Sequence, residues 1–204
     1  MAFLPCLELS GGFFDYIPLD EGNLEIVVCD VVGMGVRTSL LMASIRASLR
    51  AHASYVYELC DVIAHVNRDL CIETATSDFA TLFYGVMDTK SGMFTYVNAG
   101  HMPALLVCDG KCSELDTSGG IIGLDEDSKW EHRSVKIDRG DTLMFYSDGL
   151  SDAMNFHDES FGRPRIVKGL LNAVNEHEDA DTITAHVLWE MRRFAGLQKR
   201  FDDL

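Results

Sequence analysis

Apolar residues along the chain fall into runs of two periods. Leu24 to Cys29 (LEIVVC) is a nearly continuous apolar run of strand length, closed by Asp30 and the glycines Gly33 and Gly35, which predicts a buried strand entering a tight loop. From Thr38 the spacing becomes helical, with Leu41, Ile45 and Leu49 on one stripe. A second helical stretch, Tyr55 to about Thr74, carries Leu59, Ile63, Val66 and Leu70. ATLFYGVMD and MFTYVNAG then flank a turn at Thr89 to Gly92 and predict a hairpin. Further strands are expected at Ala104 to Cys108, Glu131 to Ile137 and Thr142 to Tyr146. The tail returns to helical spacing over Arg165 to His177 and Asp181 to Phe194. Helices interrupting hairpin-connected strands predict an α+β fold, with helices packed on antiparallel sheets.

With 204 residues, 47% of them hydrophobic, and 4 prolines, the chain has the make-up of one globular domain, and residues 1–204 are read as such. No membrane span or signal peptide is legible, so a soluble cytoplasmic protein without a membrane partner is expected. The six cysteines, Cys6, Cys29, Cys60, Cys71, Cys108 and Cys112, lack zinc-ligand spacing and read as reduced packing residues. The formal net charge of −15 repels phosphate backbones and argues against nucleic acid as a partner. Most of that charge belongs to a solvated surface.

Three carboxylates stand apart, because each follows an apolar segment at a sharp turn: Asp30 in VVCDVVGMG, Asp148 in LMFYSDGLSDA and Asp202 in KRFDDL. Hard cations such as Mg²⁺ and Mn²⁺ take oxygen ligands, and strand ends hold carboxylates firmly while leaving room for water. Singly, each Asp-Gly or Asp-Asp is foremost a turn signal. In order and spacing, however, SGGFFDYIPL, CDVVGMGVRTSLLMA, ATLFYGVMD, YVNAGHMPALL, FYSDGLSDAMN, SFGRPRI and FDDL resemble the PPM-superfamily phosphatases related to the sporulation stage II E protein and the stress-response regulator U phosphatase.

The resemblance implies a layered sandwich of two antiparallel sheets flanked by helices, here expected to lack a strand at each end. It also implies a two-metal Mn²⁺ or Mg²⁺ site serving hydrolysis of phosphoserine or phosphothreonine. Asp30 matches the aspartate that bridges both metals, Val31 would add its carbonyl, and Asp148 and Asp202 match the remaining carboxylates of the first metal, with Asp203 as the alternative to Asp202. The family's Gly-Asp-aromatic-aromatic-Asp pattern falls on SGGFFD, so Gly12 stands where an aspartate is expected for the second metal. Asp15 is the nearest candidate to compensate. The implied partner is a phosphorylated regulatory protein of the anti-sigma-factor antagonist kind, and the helices at 38–74 are the implied switch and homodimer contact. Asn98 and His101 read as turn-forming groups, and Asp152 and Asn155 as loop caps or supports for metal waters. A phosphatase-fold module with impaired catalysis is the alternative, on the strength of Gly12.

Overall fold

A computed structural model describes residues 11–19, 22–54, 58–74 and 78–198, which fall into two compact units. The described residues of Leu9–His101 and Asp116–Asp138 make the first; those of Met102–Leu115 and Arg139–Leu204 make the second.

The first unit is built on a five-stranded antiparallel sheet. Its strands are β1 (Gly12–Pro18), β2 (Asn23–Val31), β3 (Ala80–Asp88), β4 (Met93–Ala99) and β7 (Arg133–Lys136), in that spatial order. Between β2 and β3 the chain forms the helices α1 (Val36–Ala53) and α2 (Leu59–Glu73). The helices cover one face of the sheet, because alternate residues of each strand present apolar groups there. Val27, Cys29 and Val31 of β2, Leu82 and Tyr84 of β3, and Val97 and Ala99 of β4 form one core with Ile45 and Leu49 of α1 and Val62, Ile63, Val66 and Leu70 of α2. Burying each large aliphatic side chain stabilises the fold by about 1.5–3 kcal/mol. The residues in between point to the opposite face, where the rings of Phe83 and Tyr96 stack at 5.2 Å.

In the second unit β5 (Ala104–Cys108) is the central strand of a three-stranded antiparallel sheet, between β6 (Lys111–Leu115) and β8 (Thr142–Met144). The short α3 (Asp148–Ser151) and the longer α4 (Gly162–Glu176) and α5 (Ala180–Ala195) complete it. Ile166, Leu170 and Ala173 of α4 and Ile183, Val187, Met191 and Ala195 of α5 are buried with Leu105, Val107, Tyr146 and Leu150. Asp179 starts α5 by accepting the Thr182 N–H at 2.8 Å, which satisfies one of the donors that a helix start leaves open.

The expected helices and most strands are found, with shifted ends. β7 and β8 are shorter than the segments expected for them, and β6 and α3 were not expected. SGGFFDYIPL, read as a motif, is mostly strand β1. Among the described residues Cys29, Cys60, Cys71, Cys108 and Cys112 are free thiols, and burial pushes the Cys29 thiol well up, as an inert packing residue requires.

Candidate metal centre

Asp30 is the penultimate residue of β2, where the strand runs into a loop that turns on Gly33 and Gly35, at φ 104° and 89°. Backbone of that kind favours glycine, since a Cβ would clash. α1 starts at Val36, so Asp30 and the Val31 carbonyl are held between a paired strand and a helix.

Asp30 pairs in register with Gly12 on one side and Thr81 on the other. Residues directly opposite one another share a sheet face. Gly12, Asp30 and Thr81 therefore form one row on the face away from α1 and α2. Thr81 Oγ1 shares a hydrogen bond of 2.8 Å with His101 Nδ1, and the His101 N–H donates to Asn98 Oδ1 at 2.8 Å. Asn98 and His101 are both buried. The turn reading of NAGH is thus realised, with the added finding that its histidine reaches the row containing Asp30. Gly100 has φ 73°, and a Cβ there would lie 2.4 Å from Ile121 Cγ2, so this turn requires glycine.

Asp15 does not join that row. Its register partner is Val27, three residues from Asp30, and the odd spacing puts it on the helix-covered face. There Asp15 Oδ2 accepts from Arg46 Nε at 3.0 Å and Arg50 Nε at 2.8 Å, and Oδ1 from Arg50 Nη2 at 2.9 Å. Burial pushes the Asp15 carboxyl up, but the hydrogen bonds and charges of Arg46 and Arg50 outweigh it and hold the group below its ordinary range. The expectation that Asp15 compensates for Gly12 is corrected here: both its oxygens are taken up on the other side of the sheet, as an ion pair joining β1 to α1. Beside it, Glu25 is buried and its Oε1 accepts from the Tyr84 hydroxyl at 2.7 Å. Desolvation raises this carboxyl. A single carboxylate inside the apolar run LEIVVC was the signal for it.

Asp148, in the second unit, is the first residue of α3, and one of its carboxylate oxygens is buried. Its neighbours Tyr146 and Leu150 are core residues, and its carbonyl accepts from the Asp152 N–H at 2.8 Å and the Ser151 hydroxyl at 2.9 Å. The backbone carrying the carboxylate is therefore anchored on both sides. Asn155 is a loop cap: its Oδ1 accepts the N–H groups of His157 and Glu159. Asp152 accepts from the Ser151 hydroxyl. Asp202 and its alternative Asp203 lie outside the described residues.

Asp30 and the Val31 carbonyl in the first unit offer a carboxylate and a carbonyl, the hard oxygen chemistry that fits Mg²⁺ or Mn²⁺, and Asp148 in the second unit offers a carboxylate of the same chemistry. Gly12, directly opposite Asp30, brings no side-chain oxygen.

The structure matches the PP2C phosphatase domain of the Bacillus subtilis cell-fate determinant SpoIIE with a TM-score of 0.84, at 19% identity over 99% of this chain and 59% of that one. It matches the RsbU and RsbW domains of a Mycobacterium tuberculosis protein equally well, TM-score 0.84, at 28% identity over 98% of this chain and 56% of that one. The fold is thus of the PP2C type, two antiparallel sheets flanked by helices. Within that class, the chain belongs to the Stage II sporulation protein E (SpoIIE) family, whose model matches residues 20–204. Protein IcfG of Synechocystis is 31% identical over 82% of this chain and 31% of its own length. Phosphoserine phosphatase RsbU of Bacillus subtilis is 24% identical over 73% of this chain and 45% of its own. The chain thus spans less than half the length of these curated relatives.

Proposed function

We propose that this chain is a metal-dependent protein serine/threonine phosphatase domain that hydrolyses phosphoserine or phosphothreonine on a regulatory protein. The observation that carries the reading is Asp30, held at the end of an inner strand that runs through a glycine turn into α1, in a chain that belongs to the SpoIIE family. Asp30, the Val31 carbonyl, Asp148 and Asp202 would hold Mn²⁺ or Mg²⁺. Bound there, a divalent ion supplies charge that acidifies water and neutralises phosphoryl oxygens.

The chain's own residues supply position. Asp30 orients the centre through its fixed strand, and the Thr81–His101–Asn98 hydrogen bonds brace the strand beside it. Asp148 is fixed by the core residues on either side of it. None of these groups needs to form a covalent bond with phosphorus.

The relative named a phosphoserine phosphatase supports the reaction class, and the structure with joined RsbU and RsbW domains supports a signalling protein as partner. Leu40 of α1 and Ile72 of α2 are exposed apolar side chains, which support the helices at 38–74 as the homodimer contact. Gly12 favours a second reading, a phosphatase-fold module with impaired catalysis that docks a phosphorylated partner. The deciding experiment is release of phosphate from a phosphoserine peptide in Mn²⁺ and in Mg²⁺. Turnover that Asp30→Asn abolishes supports the enzyme, whereas phosphopeptide binding without turnover in either ion supports the module.

A further inference from the structure

Away from the carboxylates discussed above, the turn between α4 and α5 gathers a different set of donors. Glu176 is the last residue of α4, His177 follows as its C-terminal cap with its N–H bonded to the Ala173 carbonyl, and His186 lies in the second turn of α5. Glu176 Oε2 stands 3.9 Å from His177 Nε2 and 3.9 Å from His186 Nδ1. The two imidazole rings are tilted at 59° with centroids 5.6 Å apart. All three donor atoms lie within 4.8 Å of one another. Two histidines thus present nitrogens to one carboxylate oxygen.

We propose that Glu176, His177 and His186 form a binding site for a borderline divalent transition ion, with Zn²⁺ as its natural occupant, that clips α4 to α5. Tetrahedral zinc bonds of about 2.0–2.2 Å put neighbouring donors roughly 3.4 Å apart. Moving from the present spacing to that one requires rotation of the exposed Glu176 carboxylate toward both nitrogens and of the two imidazole rings toward one another. Both histidines are half-buried, so the rings have little freedom to lose on ligation. Nitrogen donors select zinc, nickel and copper over Mg²⁺, which separates this site chemically from the oxygen donors at Asp30. Among the described residues the chain brings three ligands, which leaves a fourth position for water.

Glu178 and Asp179 follow at the same turn and add negative charge. The Asp179 carboxylate itself caps α5 and accepts the Thr182 N–H, so it contributes field rather than a ligand. Since the ion bridges two helices that an unfolded chain does not hold together, binding stabilises the second unit.

The test uses the intact chain in excess Mg²⁺, which saturates oxygen-only sites. Calorimetry with Zn²⁺ and visible absorption with Co²⁺ read the site directly. The expected result is one equivalent of Zn²⁺ bound, the intense absorption of tetrahedral Co²⁺, and a higher melting temperature. Glu176→Gln, an exposed change that leaves packing alone, and His177→Ala should each weaken Zn²⁺ by about tenfold or more, while Asp30→Asn leaves it unchanged. Absence of Zn²⁺ binding in excess Mg²⁺, or equal affinity in the wild type and both turn variants, overturns the proposal.

Discussion

Asp15 and Asp30 sit on adjacent strands of one sheet, and the parity of their register separates them: one meets two arginines under a helix, the other lies in the row containing Thr81. The strand carrying Asp30 was legible from its apolar run, but the face taken by Asp15 was not. FFDYIP has no clean alternation, and Arg46 and Arg50 are 31 and 35 residues away. Removing the carboxylate leaves two half-exposed guanidinium groups without this partner, so Asp15→Ala should cost about 1 kcal/mol in a urea melt. The pH dependence has a definite sign. The Asp15 carboxyl is lowered in the folded state, so its contribution is full above the unfolded value near 3.8 and fades as pH falls through the folded value. Asp15→Asn should therefore flatten the acid limb of the stability curve below about pH 4; an unchanged limb refutes the assignment. At Gly12 the backbone is ordinary extended strand without positive φ. Gly12→Asp then carries no left-handed strain, and it places a carboxylate directly opposite Asp30. We expect higher Mn²⁺ affinity and faster phosphopeptide turnover together, by calorimetry and phosphate release. If neither moves in a folded variant, Gly12 is not the missing ligand position.

At the scale of elements, what was legible was what buries itself on a regular period. α4 and α5 announce themselves by apolar residues every three or four positions, and β2 to β4 by length and flanking turns. β6 (KCSEL) was not legible, because its alternate residues face outward and only Leu115 is fully buried. α3 was hidden for another reason: four residues cannot display a period, and SDGLS reads first as a turn. The link between elements that sequence could not supply is Thr81–His101, which ties β3 to the segment after β4. Thr81→Val keeps the shape but leaves the buried imidazole Nδ1 without this partner, and should cost about 1–3 kcal/mol. If Thr81 also braces the strand beside Asp30, the variant should raise the Mn²⁺ concentration needed for half-maximal turnover. A stability loss without that rise limits the pair to a structural role.

For the whole molecule, a bound metal would act on stability together with charge, and the two must be separated. A net charge of −15 works against compaction through self-repulsion, and added salt screens it over a Debye length of about 8–10 Å near physiological ionic strength. NaCl alone should therefore raise the melting temperature from its low-salt value. A specific divalent site adds a further increment, about 0.4 kcal/mol when the ion equals its Kd and about 2.7 kcal/mol at a hundredfold excess. In a chain of this size each kcal/mol moves the midpoint by about 2–4 °C. With Gly12 offering no oxygen the set is incomplete, and Mn²⁺, which generally binds nitrogen and oxygen sites more tightly than the reluctantly dehydrated Mg²⁺, should act at lower concentration. The measurement is a thermal melt series in MnCl₂ and MgCl₂ against NaCl at matched ionic strength, on the wild type and Asp30→Asn. Wild type should gain stability beyond the NaCl curve, first in Mn²⁺, and Asp30→Asn should follow the NaCl curve more closely. Because the α4–α5 turn offers its own ligands to Mn²⁺, Glu176→Gln is included in both backgrounds, leaving the increment that depends on Asp30. If that increment is zero in both ions, the ions act on this protein only by screening, and Asp30 does not hold a metal.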